Sequence, residues 1–256
     1  MGYSRVGLAA LRIEDEAPLR RIPLYPRLKA LLVRDGYRFR VSARAIDWSR
    51  AVFLNLSYWS PDDTADVVVG RSLPADVVTH VAWHHLARRA LGRAGGTVDG
   101  MLLGESIASA FDVYLLGWLL QAAPRARYLE TQVEAMSETT GLSPARFGKL
   151  LARIAADPNA AFSSLRALLF DASTALVRAR GIDEASAVLD ALEAHPLSPL
   201  LAHYNLSNWV LHSRAYGPRV PPKIDARVAK VDRALREAPV ALDWLERAWL
   251  RAAEPA

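Results

Sequence analysis

The sequence predicts an α+β fold that is predominantly α. Three observations lead there. Alternation of apolar and polar residues with period two is confined to residues 37–70. From Ser72 onward apolar residues recur at helical spacing, cut by proline and glycine stops. The 256 residues suffice for one large domain, or for a domain with a smaller companion. The expected architecture is a small N-terminal antiparallel sheet, a pair of apolar helices, and a C-terminal helical bundle. The boundary is expected near residue 141, giving parts 1–141 and 142–256.

Residues 1–22 are mixed and charged and read as a loosely packed lead-in. Pro23 and Pro26 bracket a turn, and Arg27–Arg34 reads as a short helix stopped at Asp35-Gly36. Tyr37–Ala43 alternates as a half-buried strand does. Ala51–Trp59 and Asp66–Gly70 read as two further strands, joined by a turn at Pro61-Asp62-Asp63.

Ser72 and Pro74 resemble a cap and first turn for a helix through His80–His85 that ends near Gly92. Gly95-Gly96 makes a loop. A second helix spans about Asp99 to Gln121, stopped by Pro124, and a third spans Arg125–Glu138, closed by Gly141. Ser143-Pro144 opens a fourth that stops before Asp157-Pro158. The spans Asn159–Arg180, Asp183–His195, Ser198–Arg214, Lys223–Arg236 and Val240–Ala253 complete the chain, with a rigid break at Pro218, Pro221 and Pro222.

Composition narrows the chemistry. There is no cysteine, which excludes disulfides, thiolate metal sites and cysteine nucleophiles. Any metal site must therefore use histidine and carboxylate. The net charge of +5 comes from arginines spread along the chain, without a recognition motif, so nucleic acid is not an expected partner. The N-terminus lacks a basic segment followed by a long apolar core, and the most apolar run, Val113–Ala123, is too short to span a bilayer. A cytoplasmic protein without a membrane partner is expected.

Residues 72–117 concentrate the chemistry, with His80, His84 and His85 on the first apolar helix and Glu105 and Asp112 on the second. His80 and His84 are four apart, so both imidazoles lie on one helix face and can grip one cation. His85 points about 100° away from His84, because each helical residue turns by that much. Glu105, Ala108, Ser109 and Asp112 share a face of the second helix. With the helices antiparallel across the glycine loop, Glu105 faces the histidine pair. Asp112 then orients a ring N–H or serves as a further ligand. Two histidines and a carboxylate leave an open coordination position, as a catalytic metal requires. The competing reading is a buried polar cluster in which Glu105, Asp112 and backbone carbonyls satisfy the histidines without a metal.

The segment T79-H80-V81-A82-W83-H84, followed by G104-E105-S106-I107-A108-S109, resembles the core of the gluzincin (thermolysin-like) metallopeptidases. The resemblance covers about residues 50–117, and the gap from His84 to Glu105 (105 − 84 = 21) is close to the family's usual spacing. It implies His80, His84 and Glu105 as metal ligands, zinc as the ion, and Asp112 or His85 as a supporting group or alternative ligand. It also exposes a departure, because the family's general-base glutamate falls on Val81, which cannot take a proton. The expected function is thus a zincin-like metal-binding protein with impaired or atypical hydrolytic chemistry. A non-catalytic scaffold for a protein or peptide partner is one alternative. An Fe(II) oxygenase, which uses the same two-histidine, one-carboxylate set, is the other.

Other constellations read as structural. Glu130, Glu134 and Glu138 form a solvated stripe with no E-x-x-H partner; His195, His203 and His212 read as surface or capping residues; Trp209, Trp244 and Trp249 read as core. No phosphate loop or G-x-S-x-G elbow is present.

Overall fold

The computed structural model describes residues 3–42, 67–68, 70–216 and 219–253. The expected strand Ala51–Trp59 and the turn at residues 61–63 lie outside these. Strand β1 (Tyr3–Gly7) leads through a 3-10 turn (Leu8–Ala10) to β2 (Arg12–Glu14), α1 (Glu16–Leu19) and α2 (Leu24–Arg34). Then come β3 (Arg38–Ser42), β4 (Val67–Val68) and β5 (Ser72–Pro74).

Residues 3–19 form strands and a short helix, which corrects the expected loosely packed lead-in. β1 pairs antiparallel with β3, from Tyr3↔Ser42 to Gly7↔Arg38. Five residues are too few to display a period, and the partner strand lies far downstream. That three-stranded sheet, in the order β1-β3-β4, is mixed, because β4 joins β3 in parallel, and β2 and β5 form a separate two-stranded parallel sheet. Glu16 pins this region by accepting from Arg20 Nη2 and Lys29 Nζ, each at 2.5 Å, and from the Tyr25 hydroxyl at 3.0 Å. Ser72 does not cap the helix, and Pro74 stands at its N-cap position rather than in its first turn. Their backbone is engaged in the β2–β5 pairing, and the helix starts at Ala75 without a side-chain cap.

The helices follow: α3 (Ala75–Leu91), a 3-10 turn (Gly92–Gly96), α4 (Val98–Ala122), α5 (Arg127–Thr140), α6 (Pro144–Ala156) and α7 (Pro158–Leu176). Local signals explain most of their ends. Thr97 accepts the Gly100 N–H at 3.1 Å at the start of α4, and Asp157 accepts the Ala160 N–H at 2.9 Å at the start of α7. Gly141 stops α5 with φ of 63°, a left-handed conformation costly for other residues.

Next are α8 (Ile182–Leu192), α9 (Leu200–His203) and α10 (Leu206–Tyr216). The single helix expected over Ser198–Arg214 is broken at Asn205, whose φ is +49°. Asparagine tolerates that conformation better than most residues. The chain ends in α11 (Ala226–Glu237) and α12 (Ala241–Leu245), the latter continued by a π-helical turn (Glu246–Leu250) and a 3-10 turn (Arg251–Ala253).

Helix α4 is the centre. Its 25 residues are apolar on nearly every side, which suits a helix enclosed by others. It packs on α3, α5, α6 and α7, with its most extensive contact on α7. Among the described residues it alone is long and apolar enough to cross a membrane, and 83% of its most apolar 18-residue stretch is buried inside the protein. Leu103, Ile107, Phe111, Leu115 and Leu119 are all fully buried, each contributing about 1.5–3 kcal/mol of transfer free energy. Gly117 lets α6 approach: a Cβ there would stand 2.7 Å from the Ile154 carbonyl oxygen. One apolar cluster includes residues from both sides of position 141.

Candidate metal centre

Helices α3 and α4 form an antiparallel hairpin across the 3-10 turn. The contacts show the direction: His84 meets Glu105, while His80, one turn earlier, meets both Glu105 and Asp112. The hydrophobic faces set the rotation. Val78, Val81, Ala82, Trp83 and Leu86 go into the core, with the Trp83 ring 5.4 Å from that of Phe111, which leaves His80 and His84 along the edge facing α4.

The His80 and His84 rings stand edge to face with centroids 4.7 Å apart. Glu105 Oε1 is 3.6 Å from His80 Nε2, and Glu105 Oε2 is 3.2 Å from His84 Nε2. One donor atom from each of the three residues falls within a mutual 4.8 Å, a group that can hold a metal ion. The side chains keep only 28%, 10% and 15% of their surface exposed for His80, His84 and Glu105.

Asp112 supports this group. Its Oδ2 is 3.0 Å from His80 Nδ1. A carboxylate there holds a proton on Nδ1 and turns Nε2 towards the centre. Ser109 is directed elsewhere: its hydroxyl donates to Glu105 Oε1 at 3.4 Å and orients the carboxylate. His85 is turned away, with Nε2 2.9 Å from Asp35 Oδ2 and its ring against Tyr37. Val81 is buried in the core, with no carboxylate in its place.

The electrostatics are those of a crowded polar cluster. Burial works to lower the His80 pKa, but the Asp112 charge and hydrogen bond, together with Glu105, raise it well above the usual histidine value. Burial likewise works to raise that of Glu105, and the charge of His84 with bonds from both imidazoles holds it far below the usual carboxylate range. The raised His80 pKa favours a proton on its imidazole, which compensates the neighbouring Asp112 and Glu105 carboxylates.

The fold adds residues that sequence reasoning missed. Asp76 sits on α3 four residues before His80. Burial, followed by the Asp112 charge, pushes its carboxyl up to about 6. The spacing D76-x3-H80-x3-H84 carried that signal, since all three share one helix face. Tyr128 on α5 donates its hydroxyl to the Asp112 carbonyl at 2.8 Å, and Tyr204, between α9 and α10, donates to the Ser109 carbonyl at 2.8 Å. Burial and then the Asp112 charge raise both phenols well above the ordinary tyrosine value, so they remain donors. His212 on α10 lies within electrostatic reach of Glu105, though burial still lowers its pKa. Nothing local marks these three, because the chain reaches the site through tertiary packing.

The remaining histidines are occupied elsewhere. His195 Nδ1 accepts the Leu197 N–H at 3.1 Å and Nε2 meets Ser164 Oγ at 3.1 Å, while His203 meets Thr139 at 3.0 Å. Glu130, Glu134 and Glu138 are exposed on α5.

Comparison of the sequence with protein-family models and curated proteins, and of the fold with solved structures, gives no match.

Proposed function

We propose that this protein is a zincin-like metal-binding protein with impaired or atypical hydrolytic chemistry, in which His80, His84 and Glu105 hold a divalent ion, zinc first among candidates. One observation carries the reading: two imidazole Nε2 atoms and one carboxylate converge, with His80 locked by Asp112. Ligands about 2.1 Å from tetrahedral zinc stand about 3.4 Å from one another; the histidine–carboxylate separations of 3.2 and 3.6 Å, each to a different Glu105 oxygen, are near that value, and one donor atom from each of the three residues lies within 4.8 Å of the others.

The protein's own residues would divide the work. His84 and Glu105 bind, Asp112 keeps His80 in the binding tautomer, and Ser109 steadies Glu105. A bound zinc would polarise a carbonyl and lower the pKa of water. Peptide hydrolysis further needs a proton acceptor at the position of Val81, and valine offers none. The resemblance to the gluzincins therefore extends to the metal grip and stops at the base. The protein or peptide it engages, and its placement in the cytoplasm, remain part of the proposal.

Metal analysis of the purified protein tests this. Stoichiometric zinc that disappears in a His80→Ala/His84→Ala variant supports the proposal. Iron in its place would favour the Fe(II) oxygenase, and no metal after reconstitution would leave a non-catalytic scaffold. Peptidase activity is expected to be absent from the wild type, and Val81→Glu tests whether the missing base is the reason. Strong proteolysis by the wild type would refute the impaired-hydrolysis reading.

A further inference from the structure

Helix α8 is amphipathic, yet none of its residues is buried. It lies against α7 and leaves an open groove of about 980 Å3 between itself and the α9–α10 segment. Large exposed apolar side chains gather there. Of the five among the described residues, Ile182 (83% exposed), Leu189 (44%) and Leu211 (53%) line this groove. Isolated apolar residues on a surface are ordinary, whereas several converging on one concave site mark a binding surface.

The spacing indicates the shape of the occupant. Ile182, Ala185 and Leu189 are i, i+3 and i+7 on α8, while Leu206 and Val210 are i and i+4 on α10. Two apolar helix stripes thus face the same trough. Each wall is a helix of 11 residues, about 16 Å long at 1.5 Å per residue. A trough between two such helices accepts the apolar ridge of a third.

The charge indicates its sign. Residues 182–193 carry Asp183, Glu184, Asp190 and Glu193 and no lysine or arginine, in a chain whose net charge is +5. Asp190 and Glu193 line the groove and are exposed. Glu184 is paired with Arg180. The groove's one basic residue, Arg214, is turned onto backbone and donates to the carbonyls of Val177 and Ala179. Among the described residues no lysine or arginine pairs with Asp190 or Glu193, a charge that a partner can supply.

We propose that this groove docks an amphipathic helix of a partner protein, with an apolar stripe flanked by lysine or arginine. The proposal is independent of the metal centre. It is tested with a labelled synthetic helix of about five turns, leucine at i, i+3, i+4 and i+7 and lysine elsewhere, followed by fluorescence anisotropy. A matched peptide with glutamate in place of lysine is the control. The wild type is expected to bind the lysine peptide at least about tenfold more tightly than the control, and Ile182→Asp/Leu211→Asp to lose about tenfold. Asp190→Lys/Glu193→Lys should erase or invert the charge preference. All four substitutions are at exposed positions, so circular dichroism and metal content should match the wild type. Failure of the wild type to bind the lysine peptide would overturn the proposal, as would equal binding of both peptides or binding that ignores the variants. So would a wild-type dimer in sedimentation that Ile182→Asp/Leu211→Asp dissociates, since a second copy would then fill the groove.

Discussion

Helix α4 carries two inward-facing carboxylates, the buried Asp99 and the partly buried Glu105, less than two turns apart and differently partnered. Asp99 is fully buried, with Oδ1 2.6 Å from Arg178 Nη2 and Oδ2 accepting the Asp225 N–H at 3.0 Å. Arginine keeps its charge at any ordinary pH, so that pair is closed and ties the end of α7 and the start of α11 to α4. Glu105 meets two imidazoles, which are charged only when protonated. Its compensating charge can be a proton and, on the proposed function, a metal ion in its place. On one helix, then, partner chemistry separates a structural pin from a site.

The largest expected effect breaks this contrast from the metal side. His80→Ala/His84→Ala should reduce bound metal to background, whereas Asp99→Ala should leave metal content unchanged in the folded protein. Inductively coupled plasma mass spectrometry of both variants reads this directly. Equal metal loss in both would mean that Asp99 belongs to the site.

Next in size is stability. Asp99→Ala leaves the Arg178 guanidinium without its counter-ion and is expected to cost about 3–5 kcal/mol in urea denaturation. A loss below about 1 kcal/mol would show that the pair behaves as a surface bridge.

A smaller effect sharpens the role of Asp112. Asp112→Asn can no longer fix the His80 tautomer by charge, and metal affinity should fall about 10–100-fold with the fold retained. Competition with a chelating dye measures it. An unchanged affinity would remove Asp112 from the site.

The smallest effect is in pH dependence. In chelator-treated protein the folded-state pKa of His80 lies above 6.5, because Asp112 and Glu105 together outweigh burial. The folded state then holds the extra proton, so this stabilisation is complete below 6.5 and is lost as pH rises through the folded value. Metal-loaded protein should show the opposite trend, since deprotonated imidazole binds the ion. Denaturation midpoints across pH, with and without chelator, separate the two. Parallel profiles would show that no exchangeable charge sits at Glu105.

Much of this was legible in the sequence, and the reason is locality. The ends of α5, α6 and α7 follow from Gly141, Ser143-Pro144 and Asp157-Pro158, signals that act within a turn of the chain. His80 and His84 share a face because helical geometry alone puts residues four apart together, and Glu105 and Asp112 share theirs through the same geometry. What the tertiary structure decided lies between distant segments. Pairing drew residues 3–7 into a sheet with β3 and took Ser72–Pro74 from a helix cap into a strand. The left-handed Asn205 divides one expected helix in two, and the neighbouring Tyr204 reaches the Ser109 carbonyl on α4. The antiparallel docking of α3 on α4, finally, determined that Glu105 meets both imidazoles while His85 turns to Asp35. Helix periodicity can place residues on a face, but only packing against another element determines what that face meets.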